Sequence, residues 1–405
     1  NPNRLPLGEV CSFCVLTQNE GTVFLLKRNL ILLYAITFLQ GMVFYAPVAV
    51  LYRQAAGVTV LQMTVIEGIS LLLSVALEIP WGIVAEKIGY RNTMVFCCLL
   101  YFVSKLIFWQ AVDFGGFLLE RILLSIVCAG LSGCDTALLY RSCKGVDSQK
   151  VFGLYSSLGL AGLMVSALVY SLFVGEDFRL AGLLTVFSYG AAALLALGLK
   201  EVGEPDERTP EPVSAGRVVL SVVKNKKLLL FLLAAMLLEQ THQAVTVIVN
   251  QLQYQRSGIG ASWFGVILAG MNLLGLLGVF SRRYTACLGE KWAGGSLLLL
   301  SAGSCVVLAL TENPVLSVMG VALVHLAFSL FVPLQTELQN RRVVTSARAT
   351  ELSVQSAFLN GTGAAVGVVF GRGAESSVPL AFWLGAVLCL SAWCLFQLTV
   401  SGKRA

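Results

Sequence analysis

Polar and ionisable residues interrupt the long apolar stretch between residues 228 and 252. Glu239, His242 and Gln243 are three and four residues apart, so one helical face would carry them, and Asn250 continues that face. An ionisable side chain at the centre of a bilayer costs at least about 2.5–3.5 kcal/mol, so the few that occur there serve a function. Low dielectric favours the neutral form of a carboxyl group. The pattern therefore predicts that Glu239 binds a proton, and that His242, Gln243 and Asn250 contact a solute. A structural hydrogen-bond cluster between helices is the alternative.

Other ionisable residues lie inside further apolar segments. Glu67 stands alone among apolar and small residues. It is predicted either to line a cavity as a second proton-coupling residue, or to pair across helices with a cation such as Lys105. His325 is interpreted as a packing histidine or as a solute contact. Glu120 and Arg121 lie near the end of their segment, which favours a gate or a surface ion pair.

The first apolar segment carries aromatic and amide side chains at helical spacing. Gln40, Phe44 and Tyr45 belong to a series at three- and four-residue spacing that begins with Tyr34 and Thr37, so they share part of one helical face. Such a mixture suits a cavity for an amphipathic organic solute. Ordinary helix packing is the alternative, although an amide inside the segment favours the cavity.

The overall composition explains why these segments must lie in a membrane. The chain has 405 residues, of which 57% are hydrophobic and 12% are charged. Soluble domains carry roughly 25% charged residues, so this chain has too little charge to cover a water-facing surface. The apolar runs are continuous and about twice the roughly ten residues of a barrel strand. We therefore predict an all-α integral membrane protein.

Windows of membrane-spanning length predict twelve helices in two halves of six. The predicted parts are an N-terminal cytoplasmic segment (1–28), an N-terminal half (29–199), a cytoplasmic linker (200–227), a C-terminal half (228–400) and a short tail (401–405). Alternate loops hold 22 lysines and arginines on one side and 4 on the other. This asymmetry predicts a multi-pass plasma membrane protein with both termini in the cytoplasm.

Residues 77–92, at the junction between the second and third predicted spans, carry several charges and the helix breakers Pro80 and Gly82. They are predicted to form a short, tightly turned loop at the membrane surface. Gly82, Glu86, Gly89 and Arg91 have a spacing that resembles the loop motif G-x-x-x-D-x-x-G-R-[RK] of the major facilitator superfamily. Three further stretches resemble that family, namely residues 78–82, 132–140 and 348–353. The resemblance implies a twelve-helix transporter with pseudo-symmetric halves, closest to bacterial drug and metabolite branches. It also implies a cytoplasmic gate formed by Gly82, Glu86, Gly89, Arg91, Asp135, Arg141 and Arg348.

The sequence departs from the family pattern in this gate and in the fifth predicted span. Glu86 replaces the usual Asp, and Tyr90 occupies the first basic position. The fifth span lacks the Gly-Pro kink of many drug/proton antiporters, which keeps an uptake symporter open as an alternative.

These observations predict a secondary active transporter that moves a small, amphipathic organic solute by proton-coupled efflux. Proton-coupled uptake is the alternative, and a lipid flippase or scramblase is another. An enzyme is not expected, because the chain has two histidines and no H-E-x-x-H motif. No nucleotide-binding loop, cofactor, nucleic-acid partner or metal is predicted, since the lone pair Cys11 and Cys14 has no further ligands nearby. The partners are the bilayer, the solute and protons, and the chain is expected to act as a monomer in a bacterial inner membrane.

Overall fold

The computed structural model describes residues 27–143, 148–202, 220, 222–342 and 348–400, and these residues form helices without a strand. Twelve long helical segments follow one another. They are α1 (Lys27–Ala55), α2 (Val60–Ile88), α3 (Tyr90–Gln110), α4 (Phe114–Ser142), α5 (Lys150–Val174), α6 (Phe178–Ala196), α7 (Lys226–Arg256), α8 (Ala261–Leu288), α9 (Glu290–Leu310), α10 (Pro314–Arg341), α11 (Arg348–Ser376) and α12 (Val378–Thr399).

The length and apolar character of these helices confirm the predicted fold class. In the described part of the chain, 11 helices are long and apolar enough to cross a membrane. The twelfth, α11, has 29 residues and is richer in glycine and polar residues, and it packs along α2. Because no water reaches the centre of a bilayer, helices that satisfy their own backbone hydrogen bonds are the structure such segments adopt.

The junction between α2 and α3 is shorter than its sequence suggests. The predicted loop is helical through Pro80 as far as Ile88, and a single residue, Gly89, makes the turn with a φ of 88°. This φ favours glycine because it has no Cβ. A Cβ there would also lie 2.6 Å from the Glu201 carboxylate.

Several of the helices are interrupted near the middle of the molecule. The helix of residues 27–41 in α1 gives way to a 3-10 turn at Ala46–Val48, and a short helix, Ala49–Ala55, then continues the span. In α7 a wider π-helical turn, Ala244–Val249, separates Lys226–Gln243 from Asn250–Arg256. Such turns are frequent at functional sites, and both interruptions lie where the two halves of the molecule meet.

The halves contact each other through α2 with α11 and through α5 with α8. We call the side that carries residues 27, 89 and 400 the terminal face, and the other side the opposite face. Near the opposite face, the Val266 N–H donates to the Ser171 hydroxyl across the interface at 3.0 Å. A Cβ at Gly265 would collide with the Ala167 carbonyl oxygen, so glycine permits this close approach. The structure is therefore closed near the opposite face.

Candidate functional site

A cavity of about 270 Å³ lies between the two halves of the molecule. Its wall combines apolar side chains with amide, hydroxyl and imidazole groups from five helices. The lining residues are Ala46 and Pro47 of α1, Leu163 of α5, His242, Thr246, Val247, Asn250, Gln251 and Tyr254 of α7, Phe264, Ile267, Leu268, Met271 and Asn272 of α8, and Val321 and His325 of α10. These lining residues include no carboxylate, lysine or arginine. The wall therefore suits a solute that has both an apolar surface and hydrogen-bonding groups.

The two histidines of the chain meet in this wall. His242 Nε2 and His325 Nδ1 are 3.0 Å apart, although 83 residues separate them in sequence. The ring of His242 also stacks on Phe328, with 3.9 Å between ring centroids and 12° between the planes. His242 was predicted to contact a solute, and His325 was interpreted as a packing histidine or a solute contact. Both side chains line the cavity.

The polar face of α7 continues beyond the histidine pair. The Thr246 hydroxyl donates to the His242 carbonyl at 2.8 Å, and Asn250 lines the cavity further along the helix. Sequence reasoning missed Asn272 of α8, whose amide donates to the Leu268 carbonyl at 3.0 Å. It is the one side-chain amide among residues 264–281, which is a signal that could have drawn attention to it.

Other predicted solute contacts lie outside this cavity wall. Gln40 donates to the Cys98 sulfur at 3.4 Å, and its backbone carbonyl accepts from the Tyr189 hydroxyl. Phe44 and Tyr45 are buried in the hydrophobic core. Gln243 is exposed and is not among the lining residues. The structure thus brings His242, Asn250 and His325 together and does not bring the N-terminal group to the same cavity.

The two predicted proton-coupling residues have different surroundings. Glu239 is half-buried on α7, one turn before His242, and it is not in the cavity wall. Glu67 forms an ion pair with Arg121. The cation that pairs with Glu67 is thus Arg121 and not Lys105, because Lys105 is held by Glu120 on α4.

The ion pair of Glu67 and Arg121 belongs to a five-residue charge cluster in the N-terminal half. This cluster consists of Arg53, Glu67, Lys105, Glu120 and Arg121. Lys105 Nζ lies 3.1 Å from Glu120, and these side chains are 4% and 1% exposed. Lys105 also donates to the Tyr45 hydroxyl at 3.0 Å. Because the helices around Glu120 exclude solvent, the expectation of a surface ion pair is wrong for this residue. A role in a gate stays a prediction.

The cluster contains one cation more than it has carboxylates. Arg53 is buried, and none of the ion pairs in the described part of the chain includes it. Its guanidinium carbon lies 5.6 Å and 5.9 Å from the ring centroids of Phe108 and Phe117, within cation–π range. Arg53 is one of the four cations that the loop-charge count assigns to the side away from the cytoplasm. The break in α1, which turns the short helix Ala49–Ala55 inward, buries it.

The predicted gate residues do not form one network in the described part of the chain. Arg91 donates to the Leu199 carbonyl at 3.1 Å and its backbone N–H donates to Glu201 at 2.9 Å, so it joins α3 to the end of α6. Asp135 instead accepts from the Tyr155 hydroxyl at 3.4 Å. Arg141 lies over the ring of Tyr90, 4.6 Å from its centroid.

Three members of the predicted gate have surroundings outside the described residues. Gly82 and Glu86 belong to α2 and Arg348 begins α11, but the contacts of these three side-chain positions are not among those described. The gate as a whole stays a prediction.

Comparison with known proteins identifies the fold. The sequence model of the family described as the Major Facilitator Superfamily matches residues 30–371 of this chain. The crystal structure of the nucleoside transporter NupG superposes with a TM-score of 0.76 at 17% identity, over 92% of this chain and 99% of that one. The inward-facing, unoccupied structure of a bacterial homolog of the human lysosomal transporter Spinster superposes with a TM-score of 0.69 at 16% identity, over 93% of this chain and 96% of that one. The crystal structure of the E. coli fucose:proton symporter FucP superposes with a TM-score of 0.56 at 14% identity, over 92% of this chain and 98% of that one. At these identities the likeness shows a shared fold. No curated protein matches the sequence significantly.

Proposed function

Because the chain belongs to the major facilitator superfamily, we propose that it exports a small amphipathic organic solute in exchange for protons. The cavity between the halves carries this proposal. Its wall presents imidazole, amide and hydroxyl groups beside apolar side chains, and no lining residue carries a fixed charge. A solute with an apolar body and a few hydrogen-bonding groups would be bound there while the halves rock around it.

Glu239 is the proposed proton-binding residue, with Glu67 as the second candidate. Glu239 is half-buried near the middle of α7, and none of the ion pairs in the described ranges involves it. A carboxylate without a fixed counterion is free to exchange a proton. Glu67, in contrast, forms an ion pair with Arg121.

Purified protein in proteoliposomes with an imposed pH gradient tests this function. A panel of amphipathic organic solutes is supplied, and an internal pH-sensitive dye reports proton movement that depends on each solute. Opposite movement of proton and solute is the expected result. Movement in the same direction would favour the uptake symporter, and gradient-independent movement of a fluorescent lipid would favour the scramblase.

The variant Glu239→Gln tests the coupling residue. It is expected to abolish gradient-driven transport and to leave solute exchange in the absence of a gradient intact, because a side-chain amide cannot take up and release a proton. Glu176→Gln, at an exposed site before α6, is the matched control. If Glu239→Gln keeps full gradient-driven transport, the coupling site moves to Glu67.

A further inference from the structure

The contact between the two histidines supports a more specific role than solute binding. They are the only histidines among 405 residues, and they come from α7 and α10. The distance of 3.0 Å between His242 Nε2 and His325 Nδ1 requires that one nitrogen donates and the other accepts. Two imidazoles joined in this way can hold at most one extra proton, since protons on both facing nitrogens would repel.

The second ring nitrogen of His325 decides which way this hydrogen bond points. His325 has a backbone hydrogen bond with Met271 of α8. A Cβ at Gly275, one turn further along α8, would lie 2.9 Å from His325 Nε2, so this nitrogen faces α8. A carbonyl can only accept, so His325 carries its proton on Nε2 and accepts on Nδ1. His242 therefore donates from Nε2.

This arrangement leaves one lone pair for an incoming proton. His325 Nδ1 is occupied by the His242 N–H, whereas His242 Nδ1 has no hydrogen bond among those described. A proton from cavity water can form an N–H bond at His242 Nδ1 without breaking the bond between the rings. The resulting imidazolium would donate a charge-assisted hydrogen bond to His325, which is stronger than the neutral one.

The other ionisable groups around the pair are few. Tyr254 is the remaining titratable residue in the cavity wall, and Glu239 lies one turn away on the same helix. From α12, the Cys389 thiol contacts Thr241. Residues 354–371 of α11 and 264–281 of α8 contain no ionisable side chain. The short helix of α1 carries Arg53 within the five-residue charge cluster. Among the residues that line the cavity, the two imidazoles are therefore the groups that can take up a proton.

We propose that His242 is a proton-binding site of the transport cycle and that His325 is the residue that positions it. This inference rests on the proposed function, since the proton matters only if transport is proton-coupled. His242 would then take the proton directly in the cavity and exchange it with Glu239, which lies one turn away on α7. The interruption of α7 just after Gln243 would let His242 move relative to α10 when the halves rearrange.

Nitrogen-15 NMR of the histidine rings tests the proposal in the full chain. The protein is labelled at histidine, purified without tag histidines and placed in lipid nanodiscs, so that it gives signals from two rings only. Titration downwards from about pH 8, through and below the range in which histidine ordinarily changes charge, should protonate His242 Nδ1 while His325 stays neutral. First protonation of His325, independent titration of both rings, or no titration of His242 would overturn the proposal.

Variants separate positioning from a merely structural role. His325→Leu removes the acceptor and is expected to weaken proton binding at His242 about tenfold, the equivalent of about 1.4 kcal/mol for a lost charge-assisted hydrogen bond. His325→Gln supplies an amide oxygen and should restore most of that loss. Equal titration of His242 in both variants would contradict the positioning role. Gly303→Ala, on α9 with open space around it, is the control for labelling and folding.

The proteoliposome assay distinguishes failure of this inference from failure of the function. His242→Gln is expected to lose gradient-driven transport as completely as Glu239→Gln does. If His242→Gln retains it while Glu239→Gln loses it, the inference is wrong and the proposed function stands. If the wild-type protein shows no proton-driven transport, the proposed function and the coupling role fail together, whatever the ring titration shows.

Discussion

Removal of different charges from the five-residue charge cluster should destabilise the protein to different extents. The cluster holds three cations and two carboxylates, and Lys105 and Glu120 are its most buried ion pair. Glu120→Gln leaves Lys105 without its carboxylate and increases the excess positive charge. Lys105→Met leaves two cations and two carboxylates. Removal of a carboxylate should therefore destabilise the protein more than removal of a cation.

The magnitude follows from the cost of an uncompensated buried charge. Glu120→Gln is expected to lower the free energy of unfolding by about 3–5 kcal/mol, and Lys105→Met by clearly less. Thermal unfolding in detergent measures both. Glu312→Gln, which breaks the exposed pair with Arg256, should cost about 0–1 kcal/mol and is the control. Equal destabilisation by the two cluster variants would show that the excess cation is compensated in another way.

At the scale of elements, the break in α1 depends on a side chain from the other half. The short helix Ala49–Ala55 begins inside the molecule, and its first N–H groups need acceptors. The buried Gln251 of α7 supplies one, because its Oε1 accepts from the N–H groups of Val50 at 2.9 Å and Leu51 at 3.4 Å. These bonds join α1 to α7 and help to close the opposite face.

Gln251→Leu should therefore shift the protein towards a state that is open at the opposite face. Loss of the amide leaves two N–H groups unsatisfied when the halves are closed, at about 1–3 kcal/mol for each buried group. Spin labels on non-natural residues at Gln54 and Glu312 would report a longer distance between the halves. Gln255→Leu, one turn later and exposed, is the matched control. An unchanged distance distribution for Gln251→Leu would exclude this role.

At the scale of the whole molecule, the structure places Lys27 and Val400, the first and last residues it describes, on the same face. An even number of spans requires this, and the loop charges predict that this face is cytoplasmic. A fluorescent protein fused after the last residue should be fluorescent in bacterial cells, whereas alkaline phosphatase at the same place should be inactive. A fusion within residues 257–260, between α7 and α8, should give the reverse pattern. Active phosphatase at the C-terminus would show that the orientation predicted from the loop charges is wrong.

Sequence patterns predicted the helices better than the contacts between them. The predicted spans agree with α1 to α12 because apolar runs of this length are helical in a bilayer whatever surrounds them. The end of α2 was placed too early, because Pro80 and Gly82 were interpreted as helix breakers. A proline inside a long helix is tolerated when neighbouring groups compensate.

Which residues line the cavity was only partly predictable from the sequence. The spacing of His242 and Asn250 along α7 was enough to place them on one face, and the cavity wall contains both. Gln40, Phe44 and Tyr45 also share a face, but the break in α1 changes where that face points. The spacing of residues shows which of them lie side by side, and it does not show whether that side meets a cavity or a neighbouring helix.

The sequence by itself determined that this chain is an all-helical membrane protein of a transporter family, because composition and apolar run length depend on no distant contact. Only the tertiary structure decided that His242 meets His325, that Arg121 and not Lys105 pairs with Glu67, and that Arg53 is buried outside the ion pairs of the described residues. These partners lie on different helices, and the rotation and crossing of packed helices decide which side chains touch.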